Sequence, residues 1–443
     1  MSDTTNVIRT PATPFSRERE KRLMRKAAWR LIPFVFVAYV ASFLDRTNIS
    51  FAALTMNKDL DISTRTYGWV SGIFFIGYIA FAVPSSLAVV RFGARKWLTA
   101  LTLAFGAISA ATAFVESVPA LALLRFLLGV AEAGLFSGII IYLTGWFPSR
   151  YRARILTAFM LAAPLSSVIG GPLAAALLSM HGTAGLDGWR WLFLAEGLPA
   201  VLLGVAGLWL ITSSPSDAKW LDADEKQWLV GQLRIEAQSH AETEHVRTWR
   251  LFLEPRVATL AIGQLFAYMA FYSVVLWLPQ LLKTITTSTG LIGILAAVPF
   301  AAAMPAMILL GRRSDRARYR STIVAISFAL TSAGLVLATL AGPSVLALVG
   351  LSVVAIGVLA GQSSVFALPG KIFAPAVAAG VVGILSAVGN SGGFLGPTLT
   401  GALKESTGGF GTPFLVLAAL TAVGAVLVGV LGRKWERQLT QQQ

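Results

Sequence analysis

The chain contains no cysteine and only three histidines among its 443 residues. Disulfides and thiol chemistry are excluded, and a cysteine–histidine metal cluster has no residues to build it. No metal or cofactor is expected. Charge is scarce as well: Asp, Glu, Lys and Arg make up 13% of the chain, against about a quarter in a soluble domain. With 56% hydrophobic residues and a mean hydropathy of +0.71, the composition reads as a polytopic membrane protein. The formal charge of +15 would suggest nucleic acid in a soluble protein; here its meaning depends on which loops carry it. The first 30 or so residues are polar and basic, without the early apolar run of a cleaved signal peptide, and read as a cytoplasmic tail.

What is abundant is apolar sequence in runs long enough to cross about 30 Å of hydrocarbon. Twelve are expected, near 29–54, 67–90, 98–115, 118–146, 154–179, 189–211, 256–281, 288–310, 321–341, 344–368, 376–402 and 410–431. The fold class is thus all-α and polytopic, with 12 transmembrane helices in two six-helix halves. The expected organisation is a tail (1–28), an N-terminal half (29–211), a central cytoplasmic loop (212–255), a C-terminal half (256–431) and a second tail (432–443). In the central loop, the spacing of Leu221, Trp228, Leu229 and Leu233 predicts a surface helix. Segments on the side of the N-terminus hold 29 of the 36 lysines and arginines, and the opposite loops hold 5. That asymmetry predicts both termini in the cytoplasm and accounts for the basic charge without nucleic acid.

Four charges interrupt the apolar runs. Asp45 and Arg46 lie in the first, Arg125 and Glu132 in the fourth. An ionised group at membrane depth costs several kcal/mol on the mildest scales, so such groups usually mark a substrate or ion pathway. Guanidinium stays charged and its planar fork matches a carboxylate, making Arg46 and Arg125 candidates for an anionic substrate. The alternative is that each arginine neutralises a nearby acid and locks helices together. Arg125 and Glu132 are seven residues apart and share a helix face, but that spacing does not favour a tight bridge. Burial and a nearby arginine push a carboxylate's proton affinity in opposite directions, which would let Asp45 or Glu132 titrate; permanent ion pairing is the alternative. Glu196 reads as a structural partner near the end of span 6. Tyr39 and Tyr78 are cavity-lining candidates, with simple packing as the alternative.

The halves repeat each other. RFGARKW (Arg91–Trp97) follows span 2 and GRRSDRARYR (Gly311–Arg320) follows span 8; GGPLAAAL (Gly170–Leu177) has its counterpart in LGPTLTGAL (Leu395–Leu403). Six plus six helices with a basic loop after spans 2 and 8 resemble the major facilitator superfamily. RFLLGVAEAGLFSG (Arg125–Gly138), SFLDRTNISFA (Ser42–Ala52), GWRWLFLAEGLPA (Gly188–Ala200) and GNSGGFLGPTLTG (Gly389–Gly401) resemble its anion:cation symporter family, including tartrate, phthalate and hydroxyphenylacetate permeases. Val90 stands where the wider superfamily has an acid, Ser137 where proline is common, and Phe366 where tryptophan is common.

The resemblance implies a proton-coupled symporter that imports a small organic anion by alternating access, with substrate, protons and the bilayer as partners and a monomeric state. It implies substrate contact for Arg46, Arg125, Gln264 and Asn390, and proton coupling by Asp45 and Glu132. It gives Arg91, Arg95, Asp315 and Arg316 a gating role, with lipid binding as the other reading of these basic loops. Amides at Gln264 and Asn390 also serve as glue between membrane helices. An organic-cation or drug antiporter, a non-transporting nutrient receptor and a membrane enzyme are the rival functions. Balanced arginines and acids argue against the first, tails that do not resemble a signalling domain and a short central loop against the second, and the lack of a nucleophile–base pair or metal cluster against the third.

Overall fold

The computed structural model describes residues 15–239, 251, 254–316, 319–373 and 375–442. The expected tail before residue 15, residues 240–250 of the central loop and the side chains of Asp315 and Arg316 lie outside the described set. Within lipid every backbone N–H and C=O must be satisfied inside the segment, and the apolar runs accordingly fold as helices. Span 1 is Arg17–Asp59, span 2 Thr64–Phe92 and span 3 Ala94–Thr112. Span 4 is Val118–Glu132 continued by Leu135–Thr144, and span 5 is Ser149–Met160 continued by Ala162–Leu178. Span 6 is Gly188–Leu210, span 7 Pro255–Leu282, span 8 Thr289–Arg316 and span 9 Arg320–Leu340. Spans 10 to 12 are Ala347–Ala367, Pro375–Thr407 and Gly411–Leu427. Ten of the twelve are long and apolar enough to cross a membrane by length and composition alone, counting only described residues.

Two expected continuous helices are interrupted. Span 4 breaks at Ala133–Gly134, where span 2 crosses so closely that a Cβ on Gly134 would sit 1.8 Å from Ser85 Oγ. Span 5 breaks at Leu161. Span 1 extends well past its apolar run as one 43-residue rod. The surface helix forms as Ala223–Ser239.

Helix pairing repeats between the halves: spans 1 and 5, 2 and 4, and 3 and 6 pack in the first, spans 7 and 11, 8 and 10, and 9 and 12 in the second. The halves meet along spans 2 and 11, spans 5 and 8, and spans 1 and 7. These contacts gather at the end opposite the termini. A Cβ on Gly68 would lie 2.5 Å from Pro397 O, and one on Gly171 2.2 Å from Gly293 O. Only glycine allows backbones so close. Tyr67 Oη donates to Leu276 O at 2.6 Å, and Lys283 Nζ to Leu54 O at 2.9 Å. The bundle is sealed there.

At the end bearing the termini, the helix Ala223–Ser239 is fastened to the N-terminal half. Lys26 pairs with Glu225 at 2.8 Å and Arg152 with Glu236 at 3.1 Å. Trp220 stacks on Trp146 with ring centroids 5.5 Å apart.

Candidate functional site

Asp45 and Arg46 are neighbours in span 1, so about 100° of helical rotation separates their side chains. Asp45 turns into the interior of the N-terminal half; Arg46 turns toward spans 2, 4 and 7. Both are buried, as are Arg125 and Glu132, each of which is 1% exposed. The four charges face protein, not lipid.

The first cluster surrounds Arg46. Its Nη2 donates to Glu132 Oε2 at 3.0 Å, and Ser42 Oγ donates to the same oxygen at 2.7 Å. The guanidinium lies 5.0 Å from the ring centroids of both Phe74 and Tyr78 and 5.4 Å from that of Phe43, within cation–π range. The hydroxyls of Tyr78 and Tyr272 also lie within its field, as does Tyr39. Tyr272 belongs to span 7, so this cluster sits at the junction of the halves.

The second cluster lies behind it, between spans 1, 3, 4 and 6. Asp45 Oδ1 accepts from Asn48 Nδ2 at 2.7 Å and from Ser109 Oγ at 2.5 Å. Arg125 Nη2 donates to Asn48 Oδ1 at 3.0 Å, and its Nη1 donates to the backbone oxygen of Asp45 at 3.2 Å. Phe193 of span 6 covers Arg125 at 5.8 Å. Glu196 faces Asp45, Asn48 and Arg125. The expected separation of Arg125 from Glu132 is seen as two different partnerships, since Glu132 bonds Arg46 on span 1 and Arg125 bonds Asn48.

Several buried polar atoms have no partner: Arg46 Nε, Glu132 Oε1, Asp45 Oδ2, Arg125 Nε and Glu196 Oε2. Such atoms are costly to bury unused. An arginine with a free N–H beside a carboxylate with a free oxygen is equipped to exchange partners.

The facing half contributes neutral groups. Tyr268 and Tyr272 meet edge to face at 5.6 Å, and Gln362 Nε2 donates to Tyr268 Oη at 2.5 Å. Gln264 is buried beside Tyr268, with its Cγ 2.9 Å from where a Cβ on Gly389 would stand. Asn390 Nδ2 donates to Ser386 O of its own helix at 2.8 Å. Tyr39 packs against Phe159 and Phe136, at 4.8 and 5.6 Å. Of the expected gating residues, Arg95 donates to Leu208 O of span 6 and Arg91 lies 5.5 Å over Phe92. Asp315 and Arg316 have side chains outside the described residues.

Sequence reasoning missed Ser42, Asn48, Ser109, Tyr268, Tyr272 and Gln362. Small polar residues and tyrosines are common packing elements in membrane helices, and only Asn48 carried a signal, through its place in SFLDRTNISFA.

A buried charge cluster at the junction of two packed, internally related six-helix halves defines a solute transporter. The chain belongs to the major facilitator superfamily, whose family profile matches residues 35–397 and 260–439. That family comprises membrane transporters, not enzymes. The chain is 42% identical over 415 residues to a protein of Agrobacterium vitis provisionally named a tartrate transporter, covering 94% of this chain and 95% of that one. It is 36% identical over 423 residues to a quinolone resistance transporter of Acinetobacter baumannii, covering 95% and 98%. Among solved structures, a bacterial homologue of the human lysosomal transporter Spinster superposes with a TM-score of 0.76 at 16% identity, covering 92% and 97%.

Proposed function

We propose that the protein imports a small organic anion, such as a hydroxylated dicarboxylate, a sugar acid or an aromatic acid, by symport with protons. It works as a monomer in a bacterial inner membrane with both termini in the cytoplasm, in keeping with the loop charges. The observation that carries this reading is the Arg46–Glu132 pair at the inter-half junction. In the resting site Glu132 occupies the arginine that an anionic substrate needs. Protonation of Glu132 removes the competing charge, and the guanidinium takes the substrate carboxylate in its place. Tyr78 and Tyr272 donate to the remaining oxygens. Loading exchanges one carboxylate for another, so the net charge of the cavity stays low while the halves rock. Asp45 couples to this step through span 1, where it holds the position of Arg46, and Arg125 with Asn48 braces Asp45. Arg125 is thus a positioning residue in this proposal, and Arg46 makes the substrate contact. Arg95 braces the loop between spans 2 and 3, and Arg91, Asp315 and Arg316 complete that gating set.

The tartrate-type relative supports a carboxylate cargo, while the quinolone-resistance relative gives drug export as the rival. A guanidinium, Arg46, buried at the junction of the halves favours the anion. Uptake into proteoliposomes of tartrate, a sugar acid, an aromatic acid and a quinolone, driven by either a pH or a sodium gradient, tests the reading. Accumulation of at least one organic acid on the pH gradient is expected. Movement of the quinolone alone, or accumulation on the sodium gradient alone, contradicts it.

A further inference from the structure

Span 12 does not stop at Leu427. It passes through a π turn, Val428–Gly432, directly into the helix Arg433–Gln442. Val423, Val426 and Val430 are 51%, 63% and 63% exposed. Their spacing of three and four residues puts them on one outward face of the span. The next positions on that rhythm are Arg433, Lys434 and Arg437, so a greasy stripe runs straight into three cations. Together with Gly429, Val430 and Gln438 these cations line an open groove of about 420 Å3.

The helix is held in a fixed orientation. Glu436, its one acid, turns inward and accepts from the backbone N–H groups of Arg320 and Ser321 at 2.9 and 3.2 Å, capping the start of span 9. Arg433 Nε donates to Thr322 Oγ1 at 2.8 Å, and Arg437 lies 5.9 Å over the ring of Tyr319. Glu436 is thereby withdrawn from the groove. Among the described residues, none of Arg433, Lys434 and Arg437 forms an ion pair. Unpaired guanidinium and ammonium groups above an apolar stripe match one ligand chemistry, a phosphate joined to an acyl chain. Loop charge alone would satisfy the orientation of the chain without a groove.

We propose that this groove binds an anionic glycerophospholipid, with the phosphate among Arg433, Lys434 and Arg437 and an acyl chain along Val423, Val426 and Val430. The site lies in the leaflet on the side of the termini and is separate from the transport site. Bound lipid ties span 12 to the start of span 9 in the C-terminal half.

The full-length protein, extracted from vesicles of equal phosphatidylglycerol and phosphatidylcholine, is examined for retained lipid by native mass spectrometry. Wild type is expected to keep phosphatidylglycerol in preference to phosphatidylcholine. Lys434→Gln with Arg437→Gln leaves the Arg433 and Glu436 anchors intact and lowers that retention on the order of thirtyfold, at about 1 kcal/mol per cation. If the double variant folds poorly, Lys434→Gln alone serves, since its side chain has no partner among the described residues, and retention falls about fivefold. Lys21→Gln, exposed at the start of span 1 on the same side of the bundle, leaves retention unchanged. Equal retention of the two lipids overturns the proposal, as does an equal loss in Lys21→Gln, which makes the effect diffuse surface charge. Displacement of the lipid by millimolar glycerol phosphate also overturns it, because the site then takes a soluble phosphate.

Discussion

The two halves share one pattern of helix pairing and differ in what they bring to their common junction. The N-terminal half gathers two buried arginines, the buried acids Asp45 and Glu132 and the half-buried Glu196 in two linked clusters. The C-terminal half answers with Tyr268, Tyr272, Gln264 and Gln362, all neutral. Duplication thus preserved the scaffold while the chemistry became one-sided. On the proposed function, the charged half would carry affinity for the anion and the proton switch, and the neutral half would supply shape and hydrogen bonds. Hydrogen bonds to neutral groups contribute roughly 0.5–1.5 kcal/mol each, and those to charged groups more. The halves are therefore expected to respond to mutation on different scales.

The sharpest break comes from Arg46→Ala, which leaves Glu132 buried without its partner and removes the proposed anion contact. Transport should vanish, and Arg46→Lys should not restore it, because an ammonium lacks the planar fork. Uptake of labelled substrate checks both. Arg125→Gln strands Asp45 and Glu196 inside the N-terminal half. Losing one member of a buried charged network costs about 3–5 kcal/mol, so thermal unfolding should fall markedly, while the folded fraction keeps its KM. A raised KM at unchanged stability would move Arg125 into direct substrate contact. On the neutral side, Tyr272→Phe should raise KM by roughly two- to tenfold with maximal rate retained. Asn390→Ala should do least, since its amide already bonds Ser386 O, and a KM within about threefold of wild type is expected.

Much of this contrast was legible in the chain. Asp45, Arg46, Arg125 and Glu132 stood out because ionised groups conflict with the apolar runs around them, and no comparable charge interrupts the spans of the second half. What the sequence could not carry was partnership. Arg125 and Glu132 share a helix face at seven-residue spacing, yet each bonds span 1 through a different residue, because contacts between spans depend on helix rotation and crossing. The break at Gly134 gave no sign either, and the contact beside it is with Ser85 on another span. Tyr272 and Gln362 gave no sign, since aromatic and amide side chains in membrane helices have many packing uses. Helix existence followed from hydropathy; helix ends did not, as the 43-residue span 1 makes plain.

The direct test of the exchange at Arg46 is made on Glu132→Gln in proteoliposomes, where the glutamine mimics a permanently protonated acid. Two rates are measured: exchange of internal for external substrate at equal pH, and net accumulation on an imposed pH gradient. Exchange that persists while accumulation is lost is the predicted result. Accumulation equal to that of wild type would contradict the account.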